Sequence, residues 1–348
     1  MKKLPLAAIA ALMFAATSFA QTVIRVDRDA PGAVQDGLAW STAYLDLNAA
    51  IASLGGCPPP AEIWIAEGLY KPAFSSGEAA SFTIFDGTSL YGGFLGFDVN
   101  GLGVGGETSV ATREGRASRT ILSGDRNGLG RPDPTGNTHV VRVVAFASAF
   151  NPEVNVIDGL RIQHGYADDF GVFDLQGRTG GGINIGSSVA RHSVRLRNLI
   201  ITENVAMEAG AGIYSRGSMD IEMTNCTVER NAVLGTVSFG GGPAGFGGGL
   251  IIYDESGNSL EDSVAIYNSR FIANTAPFGA AVSLQGFTPF GPSGGTGSFF
   301  MGNCLLTGNT STQEQGAFYL GNNNGRASEV TIHHCTIADN AGGGAFPG

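Results

Sequence analysis

Lysine is almost missing from this chain: Lys2, Lys3 and Lys71 are all there is in 348 residues. The formal net charge is −10. Nucleic-acid binding needs clustered cations to neutralise phosphates, so the composition excludes it as a main function. Long apolar runs are also missing. No segment after Ala16 approaches the ~20 apolar residues of a membrane-spanning helix, so the mature chain is expected to carry no transmembrane segment. Charged residues make up only 14% of the chain. Among the five histidines no pair has zinc spacing, no Gly-rich phosphate loop follows a strand, and Gly-x-Ser-x-Gly is absent. No metal site is expected from these residues.

What the chain has in excess is glycine, 54 residues, about double the usual ~7% share. Set among abundant Val, Ile and Phe, that excess implies turns and close stacking rather than disorder. Residues 1–20 form an expected secretory signal: Lys2 and Lys3, an apolar stretch from Leu4 to Ala16, and small residues at Ser18 and Ala20 before Gln21. Without it the balance is 18 basic against 30 acidic residues. The chain is therefore expected to be exported, and to be secreted or at the cell surface, including association with an outer membrane.

One phrase recurs six times from residue 156 onward, most fully at Ile221–Asn231, Val264–Asn274 and Val330–Asn340. A cluster of small residues and an apolar strand follow each copy, as at Gly180–Ile183, Gly210–Ile213 and Gly247–Leu250. Repetition at some tens of residues is the mark of a solenoid. Aligned on Gly159, Asn198, Asn225, Asn268, Asn303 and His334, apolar residues alternate on both sides of the column, as Val264/Ile266 and Ser269/Phe271. Two short strands with one buried face each are expected, joined by a bend at the Asn, a residue that tolerates left-handed geometry. Six residues on, Gly165, Asn204, Asn231, Asn274, Asn309 and Asn340 form a second column, expected to be a hydrogen-bonded amide ladder.

The fold class is therefore all-β, a right-handed parallel β-helix with an N-terminal helical cap. Residues 21–155 read as the cap and the first irregular turns, with a helix over Trp40–Ile51 that buries Leu45, Leu47 and Ile51. Residues 156–348 read as the repeat turns of the same solenoid, whose C-terminal cap is expected to be missing. Intervals between turns of 39, 27, 43, 35 and 31 residues mean that the excess leaves as loops. Two of these, Tyr166–Thr179 and Ala232–Phe246, leave from equivalent positions and are expected to wall a cleft beside the short second turn. That cleft would be lined by Asp168, Asp169, Arg178 and Phe239. Cys226, Cys304 and Cys335 share one inward register, read first as stacked thiols, with a Cys304–Cys335 disulfide as the alternative. His333 and His334 are expected to point to opposite faces of their strand.

The opening, with Asp36–Gly37, Trp40–Tyr44 and Ile63–Tyr70, resembles bacterial β-helix proteins of the pectin-lyase-like superfamily. The later turns, with Phe271–Asn274 and the glycine clusters, resemble repeats of chlamydial polymorphic outer-membrane proteins, which are adhesin-like. The resemblance implies either an adhesin or a polysaccharide-degrading enzyme. A lyase of the superfamily would hold Ca²⁺ on carboxylates beside a basic residue, and no cofactor is otherwise expected. Asn-Thr-Asp, Arg-Ile-Lys and Trp-Ile-Asp-His motifs are absent; Gln163–Gly165 with Asp168 and Asp169 only partly matches the hydrolase pattern.

Outward positions beside the first column offer Asp158, Arg195 and Arg197 as candidate catalytic residues, with Tyr267 placed to stack on a sugar ring. The bland alternative for the charges is cross-strand ion pairing. The function expected is non-catalytic glycan binding or adhesion, with a polysaccharide or cell-surface glycan as partner. The alternatives are a lyase or hydrolase acting on an acidic polysaccharide, and a structural stalk.

Overall fold

The structure, a computed structural model, describes residues 22–55, 60–73, 80–97, 106–113, 116–134, 138–144, 153–168, 175–186, 191–217, 219–235, 245–253, 263–285, 297–314, 316–321 and 329–342. Period-two strands with one apolar face must stack to bury it. They do so as three sheets that run the length of the described chain, parallel apart from an antiparallel bridge of Tyr166 with Thr138. Among the described residues the first sheet orders Thr22–Val26, Ala61–Ala66, Thr88–Phe94, Asn155–Asp158, His192–Arg197, Met219–Thr224, Ser263–Tyr267, Ser298–Gly302 and Glu329–His333. The second runs from Gly68–Tyr70 to Thr336–Ala338. The third holds two ladders that meet at Thr138–Val144: the strands after the glycine clusters, such as Ile213–Arg216, and short strands such as Val205–Ala206. Those short strands, immediately after the second column, are more than the repeat predicted. Tyr166–Ala167 and Ala232–Val233 pair in register with Val205–Ala206, so each insertion begins two residues later than expected.

Both columns form as predicted, by different means. Asn198, Asn225, Asn268, Asn303 and His334 take φ between 50° and 55° at the first bend. At the second bend the left-handed residue is the one before the column, as at Glu203 and Arg230. The ladder asparagines are themselves wholly buried from Asn204 to Asn309. Each Oδ1 accepts the previous rung's backbone N–H and amide: Asn231 N and Nδ2 reach Asn274 Oδ1 at 3.1 and 3.0 Å. Each Nδ2 returns to a carbonyl of the turn before, as Asn274 Nδ2 to Val228 O at 2.9 Å. The glycine clusters exist for close approach. A Cβ on Gly212 would lie 2.5 Å from Gly249 O and 3.1 Å from Asn231 Nδ2.

The core is one continuous stack of inward residues, such as Val194, Leu196, Ile201, Met223, Phe271 and Leu306. Each contributes about 1.5–3 kcal/mol on burial. Cys226, Cys304 and Cys335 are free thiols in that stack. Burial pushes the Cys226 thiol up to about 12, out of range for reactivity at neutral pH. Cys57 lies outside the described residues.

The cap is shorter than expected. Trp40–Thr42 is a 3₁₀ turn and the α-helix is Leu47–Ser53, with the Asp46 side chain accepting from Asn48 N at its start. Leu47 is buried in the main core and Ile51 packs partly against it. Leu45 instead joins a second cluster of Trp40, Trp64 and Phe94.

Candidate functional site

Outward side chains of the first sheet stand in two columns, one of them Tyr91, Asp158, Arg197, Thr224, Tyr267, Gly302 and His333. This face divides into three zones along the axis. At the N-terminal end it is closed. Trp64 and Phe94 stack with centroids 5.0 Å apart, and Trp40 tilts onto Phe94 at 5.4 Å. Arg25 lies over both indoles at 5.1 and 5.9 Å, and Trp40 Nε1 donates to Glu107 O at 3.0 Å. Burial raises the Tyr91 phenol above its ordinary range, with Glu62 adding to the effect.

Charge fills the second zone, and each candidate there is engaged. Asp158 is aligned with Arg197 as expected, but its carboxylate pairs with Arg113 at 2.7 Å. Its Oδ1 also accepts from Asn198 Nδ2 at 2.8 Å. Arg113 comes from a non-repeating loop that no repeat alignment could place there, and both partners' side chains are only 9% exposed. Arg195 meets Asp220 at 3.1 Å and Glu222 at 3.4 Å, and Arg197 meets Glu222 at 3.3 Å. The three candidate catalytic residues therefore stand on neighbouring strands, Arg195 and Arg197 in cross-strand ion pairs and Asp158 in a pair with a loop arginine.

The third zone is aromatic. Tyr267 is exposed, and its ring tilts against Phe300 on the next turn, centroids 5.2 Å apart. Gly302 makes this geometry available, because a Cβ there would sit 2.7 Å from Phe300 Cε1. Phe300 was legible only as an outward position, not as the partner of Tyr267. The row ends at His333 and His334, whose rings lie 3.9 Å apart. They do not point to opposite faces, because His334 takes the left-handed bend and swings out beside its neighbour. An exposed amide row flanks the face, with Asn303 Nδ2 donating to Asn268 Oδ1 at 2.8 Å.

The expected cleft fares differently. Thr179, Ala209 and Phe246 are joined by parallel bridges, so the two insertions return to equivalent positions on one side. Arg178 does not line a cleft. It is buried in an ion pair with Glu208 of the second turn, Nε to Oε2 2.8 Å. A buried cation needs such a partner, because an uncompensated buried charge is strongly destabilising. Asp168 is half-buried, while Asp169 and Phe239 lie outside the described residues. His164 is taken by Glu203 at 3.0 Å; that hydrogen bond, with Arg230 behind it, holds the Glu203 carboxyl below the usual range. Among the described residues no three His, Cys, Asp or Glu side chains converge to hold a metal ion. Nor is any helix there long and apolar enough to cross a membrane.

The chain is similar to two solved structures. A pectin methylesterase from Aspergillus niger shares 15% identity over 92% of this chain and 87% of its own, with a TM-score of 0.35. Pectin methylesterase PemA from Erwinia chrysanthemi shares 12% over 93% and 90%, with a TM-score of 0.36. Likenesses this remote carry no argument about activity. No curated protein matches the sequence. The family described as the right-handed β-helix region matches residues 173–346, half of the chain. With its stacked parallel sheets, bend asparagines and internal amide ladder, the chain belongs to the right-handed parallel β-helix family.

Proposed function

We propose that the chain is an exported or surface-exposed protein that binds a polysaccharide or cell-surface glycan on the outer face of its first sheet without transforming it. The observation that carries this reading is the ledge of Tyr267 on Phe300, open to solvent, with Gly302 keeping it low. An aromatic face takes the C–H side of a sugar ring, and the adjoining amide row, Asn268 and Asn303, supplies paired donors and acceptors for hydroxyls.

A second reading is favoured by the two arginines. Arg195 and Arg197 stand on adjacent outward positions of one strand, where a lyase acting on an acidic polysaccharide would place its base, with Ca²⁺ as cofactor. Against it, Arg195, Arg197 and Asp158 are each paired with an opposite charge at 2.7–3.4 Å. A substrate would have to displace those partners. The test is retention of the protein on a panel of immobilised glycans, run beside ultraviolet detection of unsaturated product from uronate polymers. Retention without product supports binding; product that disappears in Arg197→Ala overturns it in favour of the lyase.

A further inference from the structure

Inward positions of the first sheet are apolar on most turns, for example Val194, Ile221, Val264, Phe299 and Val330 in one column. Two consecutive rungs of that column break the rule, with Thr88 and Asn155. Two residues before Val194, on the rung beside Asn155, stands a third exception, His192. All three are buried, with 1% of Thr88 and none of Asn155 or His192 exposed. By register, the Cα atoms of Asn155 and His192 are about 8 Å apart, one strand spacing across and two residues along. Both side chains share the inward parity of Val194.

Their polar atoms are left over. Asn155 Nδ2 donates to Phe85 O at 2.7 Å and Thr88 O at 2.8 Å. Its Oδ1, Thr88 Oγ1 and both ring nitrogens of His192 have no hydrogen-bond partner among the described residues. The ladder asparagines of the same interior donate and accept on every buried rung. Orphans gathered at one corner call for a shared partner, because buried polar groups are rarely left unmade. The inventory is neutral: an amide oxygen, a hydroxyl, and an imidazole with one donor and one acceptor. Burial depresses the His192 pKa to about 4, so the ring is uncharged at neutral pH. That set does not suit a hard cation or an anion.

We propose that ordered water occupies this corner of the solenoid interior and bridges Thr88, Asn155 and His192. Water can donate to Asn155 Oδ1 and to the bare imidazole nitrogen, and accept from the Thr88 hydroxyl or the imidazole N–H. A buried water typically makes about three such bonds.

The test uses the full chain with isotopically labelled histidine. At pH 7 the His192 ring protons should show cross-relaxation with a long-lived water, and a high-resolution crystal structure should show water density within hydrogen-bond distance of Asn155 Oδ1 and a His192 nitrogen. In Thr88→Val/Asn155→Val, which restores the residue type of the neighbouring rungs, the cross-peak should disappear. A wild-type crystal without density there, or a cross-peak that survives in the double variant, would overturn the assignment. The crystal measurement needs no variant to fold.

Discussion

His192 ties the interior to pH. In the unfolded chain its imidazole titrates near 6.5, while burial holds it at about 4 in the fold. Between those values the unfolded chain binds more protons, so its contribution is intact above pH 6.5 and is lost as pH falls towards 4. The shift corresponds to about 3 kcal/mol. His192→Leu should flatten this part of the pH dependence, seen as a smaller drop in unfolding free energy from pH 7 to pH 4.5 than in the wild type. An equal drop in both proteins would show that other groups govern acid lability. The two asparagine columns differ in the same measurable way. Asn274→Ala leaves the buried Asn231 N–H without its acceptor and should cost about 3 kcal/mol. Asn268, exposed at φ 50°, should cost only about 1 kcal/mol when replaced by Ala and little when replaced by Gly. Denaturant midpoints of the three variants would check the order.

Strands, bends and ladders were legible in the sequence because each turn repeats the same demands. Inward alternation, a left-handed bend and a ladder amide recur at fixed offsets, so one misread residue does not change the assignment. What did not repeat was not legible. The short strand after each ladder Asn has as few as two residues, as in Val205–Ala206, too few for alternation to show. The paired state of Asp158 depends on Arg113, and the burial of Arg178 depends on Glu208; both partners lie at separations that no spacing rule connects. The glycine excess implies both turns and close stacking, and Gly249 serves the stacking. A Cβ there would come within 2.5 Å of Ala281 O, a backbone atom that cannot yield alone. Gly249→Ala should therefore destabilise by about 2 kcal/mol, whereas a purely turn-forming glycine at this ordinary φ would tolerate alanine. Differential scanning of the variant separates the two.

Across the whole molecule, the outer face of the first sheet passes from a closed aromatic cluster, through ion pairs, to an open aromatic ledge. The irregular loops set that gradient, since Arg113 and the Trp40 segment cover turns whose outward residues would otherwise face water. Removing the cover should be costly: Arg113→Ala leaves Asp158 nearly buried without its cation and should cost about 3 kcal/mol in unfolding free energy, far more than the ~0–1 kcal/mol expected for the more exposed pair of Arg197 with Glu222. The stability gap between Arg113→Ala and Arg197→Ala measures it directly. The account turns on whether the open end of the face holds a glycan. The decisive measurement is affinity electrophoresis of the wild type, Tyr267→Ala and Arg197→Ala through gels containing the glycan that retains the wild type best. Binding at the ledge predicts that Tyr267→Ala loses tenfold or more in affinity, about 1.4 kcal/mol, while Arg197→Ala stays within twofold. Unchanged retention of Tyr267→Ala would contradict it.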